Sequence, residues 1–155
     1  MWNVIAYDLH QDLNLAKENG FSYVDSVNDI YQESDFISLH LPLFPSTRHM
    51  INTESIMKMK DGVTLINTSR GGIINTHDLV SAIKDGKFAH VALDVVEHED
   101  NLAEVHELLH LPNVIITPHI AYYTHESVDE MYRVALDAIG DFLNRKSLVN
   151  QVVGH

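Results

Sequence analysis

Four residues able to move protons or hold anions follow short apolar runs in this chain. Arg70 lies in Asn67-Thr68-Ser69-Arg70-Gly71-Gly72, directly behind Val63-Thr64-Leu65-Ile66. The glycines permit torsions that other residues hold only at a cost, and they let main chain come close to a ligand. A guanidinium fixed there can grip a carboxylate with two parallel hydrogen bonds, and the alternative is a surface arginine after a turn. His119 follows Val114-Ile115-Ile116 and Pro118, which fixes the chain entering it. Its imidazole can exchange a proton with a substrate hydroxyl near neutral pH. The chain has eleven histidines, so a hydrogen-bonded or solvated ring is the ordinary reading of any one of them. Glu97 and Glu99 bear on that reading, because a nearby carboxylate favours the imidazolium and orients the ring. Either glutamate is alternatively a solvated loop charge.

The elements that would position these residues follow from periodicity. Apolar, β-branched runs at Val4–Tyr7, Phe36–Leu39, Val63–Ile66, Val91–Leu93 and Val114–Ile116 alternate with helical patterns at Asp12–Asn19, Ser26–Ser34, Thr53–Lys60, Thr76–Asp85 and Leu102–His110. Strand-loop-helix repeated in this way predicts a parallel sheet with helices on both faces. From Thr124 to Leu143, Val128, Met131, Ala135, Ile139 and Phe142 recur three or four apart, which predicts one long helix with a buried stripe packed on the sheet. The stretch Asn144–His155 reads as undocked. In such sheets ligands sit beyond the carboxyl ends of the strands. Asp8, His40-Leu41-Pro42, Thr68–Gly72, Asp94 with Glu97 and Glu99, and Thr117-Pro118-His119 fall on that rim. An acidic residue in the place of Asp8 binds ribose hydroxyls in dinucleotide-binding folds and disfavours an extra phosphate, selecting NAD over NADP. A helix N-cap is the competing role.

Composition narrows the partners. The formal charge is −12, from 22 acidic against 10 basic residues, which repels nucleic acid and anionic membranes. With no cysteine, no apolar run of membrane-spanning length and no signal sequence at Met1, the expectation is a cytoplasmic protein of one domain. His106-Glu107-Leu108-Leu109-His110 matches the zinc pattern of two histidines on one helical face. Leu111-Pro112 stops the helix directly afterwards and no third ligand follows at short spacing, with Glu130 the more distant candidate. No metal is expected.

Taken together, these residues resemble the NAD-dependent D-2-hydroxyacid dehydrogenases, most closely their D-lactate dehydrogenase branch. VIAYD at Val4–Asp8, SLHLPL at Ser38–Leu43, HMIN at His49–Asn52, INTSRGG at Ile66–Gly72, ALDVVEHE at Ala92–Glu99 and PNVIITPHIAYYT at Pro112–Thr124 are similar to the family's blocks in its usual order. The resemblance implies that Arg70 binds and polarises a 2-keto acid, that His119 protonates the carbonyl oxygen, and that Glu99 holds the histidine protonated, leaving Glu97 a bystander. It implies further that Asp8 binds the ribose, that Leu41, Pro42, Thr47, Thr68, Ser69 and Asp94 line the cofactor, and that Tyr122 borders the substrate. Cofactor and substrate would be NAD and a small 2-keto or 2-hydroxy acid.

The resemblance also sets an expectation about what is missing. The family's G-x-G-x-x-G turn, which holds the pyrophosphate on helix amides, does not occur in this sequence. Residues 1–148 are therefore expected to be a partial Rossmann-like dinucleotide-binding domain, truncated at the N-terminus, with 149–155 a tail. In the family's order the absent strand falls between the Val4 strand and the Val63 strand, which would open the middle of the sheet. Unpaired strands there would favour a homo-oligomer or a rearranged sheet.

Overall fold

A computed structural model of the chain describes residues 2–99, 107–149 and 151. The chain forms two compact units, Met1–His119 and Ile120–His155.

In the first unit strands and helices alternate as β1 (Ile5–Ala6), α1 (Leu13–Asn19), β2 (Ser22–Tyr23), α2 (Val27–Glu33), β3 (Phe36–Leu39), α3 (Thr53–Lys58), β4 (Val63–Asn67), a 3-10 turn (Gly71–Ile73), α4 (Thr76–Lys84), β5 (Phe88–Leu93) and β6 (Val114–Ile116). Side-chain caps start the helices. Asp12 accepts the amides of Asn14 and Leu15, Ser26 and Asp29 form a reciprocal box, and Asn52 and Asn75 cap α3 and α4. Gly20 ends α1 in the left-handed region at φ 72°.

All strand pairs are parallel, in the Rossmann-like manner expected, but they fall into two sheets, β1-β2 and β3-β4-β5-β6. Burial along β4 alternates: Val63, Leu65 and Asn67 are buried and Thr64 and Ile66 half-buried. The inward set joins Ile37, Leu39, Val91 and Leu93 beneath Tyr31, Ile56, Leu79, Val80 and Ile83 of α2 to α4. Leu65 is fully buried, which contributes about 1.5–3 kcal/mol by transfer alone.

The sheet differs from expectation in two respects. The break in the sheet lies beside β3, whereas β4 is paired on both sides. The reason is local: β3, α3 and β4 form one crossover unit, with Phe36–Leu39 in register against Thr64–Asn67, so no strand fits between them. β3 is thus an edge strand, and Phe36 is exposed with the Trp2 ring edge-on at 5.1 Å. Strand β2 was not anticipated, because two residues, Ser22 and Tyr23, carry no apolar run. Of the helix expected at Leu102–His110, only 107–109 are helical among the described residues, and 101–106, with the first histidine of the zinc-like string, lie outside them.

The second unit holds α5 (His125–Leu143), capped by Thr124, whose hydroxyl accepts the Ser127 amide. The expected buried stripe is not there. Met131, Ile139 and Phe142 are all more than half exposed, and none of the helix's residues is buried. Of the stripe only Val128 is half-buried; half-burial also falls on Ser127, Val134, Ala138, Gly140 and Asp141, and Val134, Ala138 and Asp141 with Leu148 and Val149 line a shallow hollow of about 310 Å³. Small side chains on that face let the returning chain approach, so Leu148 is half-buried although it lies in the stretch read as undocked. Among the described residues no helix is long and apolar enough to cross a membrane.

Candidate active site

Register brings the rim together. Leu39 pairs with Asn67, Asn67 with Leu93 and Leu93 with Ile116, so the residues that follow, His40, Thr68, Asp94 and Thr117, leave the sheet side by side. β4 and β6 are two strand spacings apart, about 10 Å, with β5 between them.

The β6 side carries His119 and Glu99. His119 sits in the left-handed region at φ 54°, and its amide donates to Asp94 O at 2.9 Å and to Thr117 O at 3.0 Å. That turn presents the ring to Glu99, with Nδ1 3.1 Å from Oε2 and both side chains a little under half exposed. Buried Asp94 accepts the Thr117 hydroxyl at 2.5 Å and joins the base of the turn to β5. A cavity of about 350 Å³ is lined by Asp94, Val96, Glu99, Ile116, Thr117 and His119 among others. Arg70 does not line it.

The β4 side carries the arginine. Asn67, fully buried at the inward phase of the strand, accepts both the amide and the hydroxyl of Ser69 and donates to Arg70 O at 3.0 Å. The turn through Thr68 and Ser69 is therefore fixed from beneath. Arg70 itself is exposed, its Nη1 bonded to Ser69 O at 2.7 Å. The glycine after it has a different use from the one expected. A side chain on Gly71 would meet the carbonyl carbon and oxygen of Val96 at 2.0 Å, so the close neighbour is the protein's own backbone, and its φ is not positive.

Glu97 is no solvated charge. Oε1 lies 2.6 Å from Nε2 of His49, and Oε2 accepts the amide of Thr76, the first residue of α4, at 2.8 Å. Burial pushes its carboxyl up, but these hydrogen bonds outweigh burial and leave the pKa below the ordinary glutamate range. His49 is held in turn, in the left-handed region at φ 51°, by its amide on Gly72 O, next to the Ile51–Ile74 bridge.

The remaining candidates are more dispersed. Exposed Asp8 follows β1 and accepts the His10 amide at 2.8 Å; Asp12, not Asp8, caps α1, which removes the competing role. Thr47 closes the loop after β3, donating to Pro42 O at 2.7 Å and accepting the Phe44 amide at 2.8 Å, with Leu41 half-buried at its start. Tyr122 belongs to the second unit, where its ring meets Tyr123 edge-on at 6.0 Å. Sequence reasoning missed Asn67 and His49. Asn67 had a signal, a polar side chain at a buried phase of an apolar strand. His49 had none among eleven histidines.

Comparison with known proteins converges on one group. The family model described as D-isomer specific 2-hydroxyacid dehydrogenase, NAD binding domain, matches residues 1–121. The D-lactate dehydrogenase of Lactobacillus delbrueckii subsp. bulgaricus is 40% identical over 146 residues, 86% of this chain and 43% of that protein. The aromatic 2-oxoacid reductase of Clostridium sporogenes is 37% identical, over 99% of this chain and 49% of its own length. Among solved structures, D-lactate dehydrogenase with NAD+ from Lactobacillus jensenii superposes with a TM-score of 0.89 at 32% identity, covering 99% of this chain and 48% of that one. The Aquifex aeolicus D-lactate dehydrogenase complexed with NAD and lactic acid gives 0.84 at 40% identity, covering 92% and 46%. The chain spans about half the length of the curated relatives it matches.

Proposed function

Because this chain belongs to the D-isomer specific 2-hydroxyacid dehydrogenases through their NAD-binding domain, we propose that it forms the cofactor-binding and acid–base half of a cytoplasmic, self-associating oxidoreductase. Its substrate would be a small 2-keto acid of the pyruvate type, reduced to the D-2-hydroxy acid. The observation that carries the reading is the 3.1 Å pairing of His119 with Glu99 at the end of β6, on the rim shared with the arginine turn of β4.

Each residue has a task in this reading. Arg70 grips the substrate carboxylate and polarises the adjacent carbonyl. With Nδ1 facing Glu99, the other ring nitrogen of His119, Nε2, holds the proton that passes to the carbonyl oxygen. Glu99 keeps the ring oriented. When bound, NADH supplies hydride to the carbonyl carbon, so the new C–H and O–H bonds replace the C=O π bond. Asp8 fits the cofactor, since it is exposed and its Oδ1 takes a neighbouring amide while Oδ2 is open to a ribose hydroxyl. Leu41, Pro42, Thr47, Thr68, Ser69 and Asp94 line the remainder, and Tyr122 borders the substrate.

A second reading, a nucleotide- or protein-binding module without catalysis, draws support from the lack of a G-x-G-x-x-G turn in the sequence. Calorimetric titration with NADH separates the two. Micromolar binding is expected for the first reading, and no heat for the second. In a preparation that reduces pyruvate, unchanged turnover in Arg70→Ala would remove the arginine from the mechanism.

A further inference from the structure

Glu97 bonds to two elements at once, and neither belongs to the pair it sits beside. One carboxylate oxygen meets the His49 ring, in the segment after β3, and the other meets the first amide of α4. Two residues later the same turn delivers Glu99 to His119. The peptide entering Glu97 lies against Gly71, where even a methyl group would collide with Val96. His49 completes the circuit through its amide on Gly72. The arginine turn, the start of α4 and the Glu97–Glu99 turn therefore share one carboxylate.

We propose that Glu97 is a positioning residue: by anchoring its turn to His49 and to the N-terminus of α4, it sets Glu99 at bonding distance from His119. This rests on the acid–base reading of that pair. Residues 97 to 99 are half-exposed or exposed, so releasing the Glu97 side chain removes a packed hold on the turn and lets the Glu99 carboxylate move off the ring.

Ring-proton titration of His119 by NMR on the full chain, without cofactor, tests the proposal. Three variants are compared with the parent. Glu99→Gln removes the partner itself and defines the full displacement of the His119 curve. Glu97→Gln removes the anchor's charge. Thr76→Pro deletes both the amide and the hydroxyl that Thr76 offers Glu97 and leaves the His49 ring, with little disturbance of the helix start, because proline is preorganised at the first helical position and Asn75, at φ −74° and ψ 110°, already has the extended conformation that must precede it. If one variant loses its dispersed amide spectrum, the other carries the test. Displacement by at least half of the Glu99→Gln effect is expected, whereas a general loss of stability would leave the curve of the folded protein where it was. Curves that superimpose on the parent's overturn the proposal with the acid–base reading intact. A Glu99→Gln curve that itself matches the parent's overturns both.

Discussion

Glu97 and Glu99 stand two residues apart in one turn and each faces a histidine, yet the two pairs differ in surroundings. The Glu97 side chain is 13% exposed and fully engaged, with His49 on one oxygen and a helix amide on the other. The Glu99 side chain is 45% exposed and, among the described residues, is bonded to a ring that borders a cavity. Closed valences inside protein stabilise a loop, whereas an exposed pair with a free ring nitrogen is available to a ligand. The difference teaches that a carboxylate–imidazole pair is assigned by what lies behind each partner.

Four experiments press on that contrast. On the proposed reading the largest effect is expected from His119→Asn, which tolerates the φ 54° backbone and should, in a preparation that reduces pyruvate, lower kcat by roughly 10²–10⁴-fold with little change in thermal unfolding. His49→Asn should do the reverse, since asparagine tolerates the left-handed backbone but cannot bridge to Glu97, so its main loss is in stability. Next, Glu97→Gln should cost about 1–3 kcal/mol in urea unfolding by spoiling a shielded, charge-assisted arrangement. Glu99→Gln should cost about 0–1 kcal/mol, as half-exposed pairs do. Equal losses would erase the contrast.

The pH dependence of that stability follows from the sign of the Glu97 shift. Its folded pKa lies below the unfolded one, so its contribution is present above the ordinary glutamate range and lost as pH falls through the folded value. The stability gap between parent and Glu97→Gln should therefore narrow in acid, as measured by denaturant titration at neutral pH and near pH 3. A constant gap would mean that the carboxylate's charge has no part in the clasp. Two glycines extend the same contrast to the backbone. Gly71→Ala should destabilise by about 1–3 kcal/mol, because its methyl must displace the Val96 carbonyl. Gly140→Ala, within α5 and with open space around it, should stabilise by about 0.5–1 kcal/mol. Calorimetric melting of both variants checks the pair.

Much of the local structure was legible in the letters. Asp12, Ser26 and Thr124 announce helix starts through side-chain chemistry that acts within three residues. The strands Phe36–Leu39 and Val114–Ile116 have the bounds expected from their apolar runs. What depended on distant chain was harder to read. α5 has an apolar stripe, and the stripe indicates only which face a partner would cover; apart from Val128 its residues are exposed, while Val134, Ala138 and Asp141 on another face meet the returning Leu148. The break beside β3 was misplaced because pairing order is decided by crossover geometry, not by the composition of a strand.

The parallel α/β plan, the kinship to the dehydrogenases, and Arg70, Glu99 and His119 as candidates, Glu99 already paired with His119, are written in the amino-acid order, because periodicity, caps and ordered motifs are properties of neighbouring residues. It took the folded chain to reveal that Glu97 is no bystander but meets His49 and the α4 amide, why Gly71 must lack a side chain, and how Asn67 holds the arginine turn. Each of those contacts joins segments that leave the sheet at different strands or at different points of a turn, and their meeting is fixed by strand register and packing.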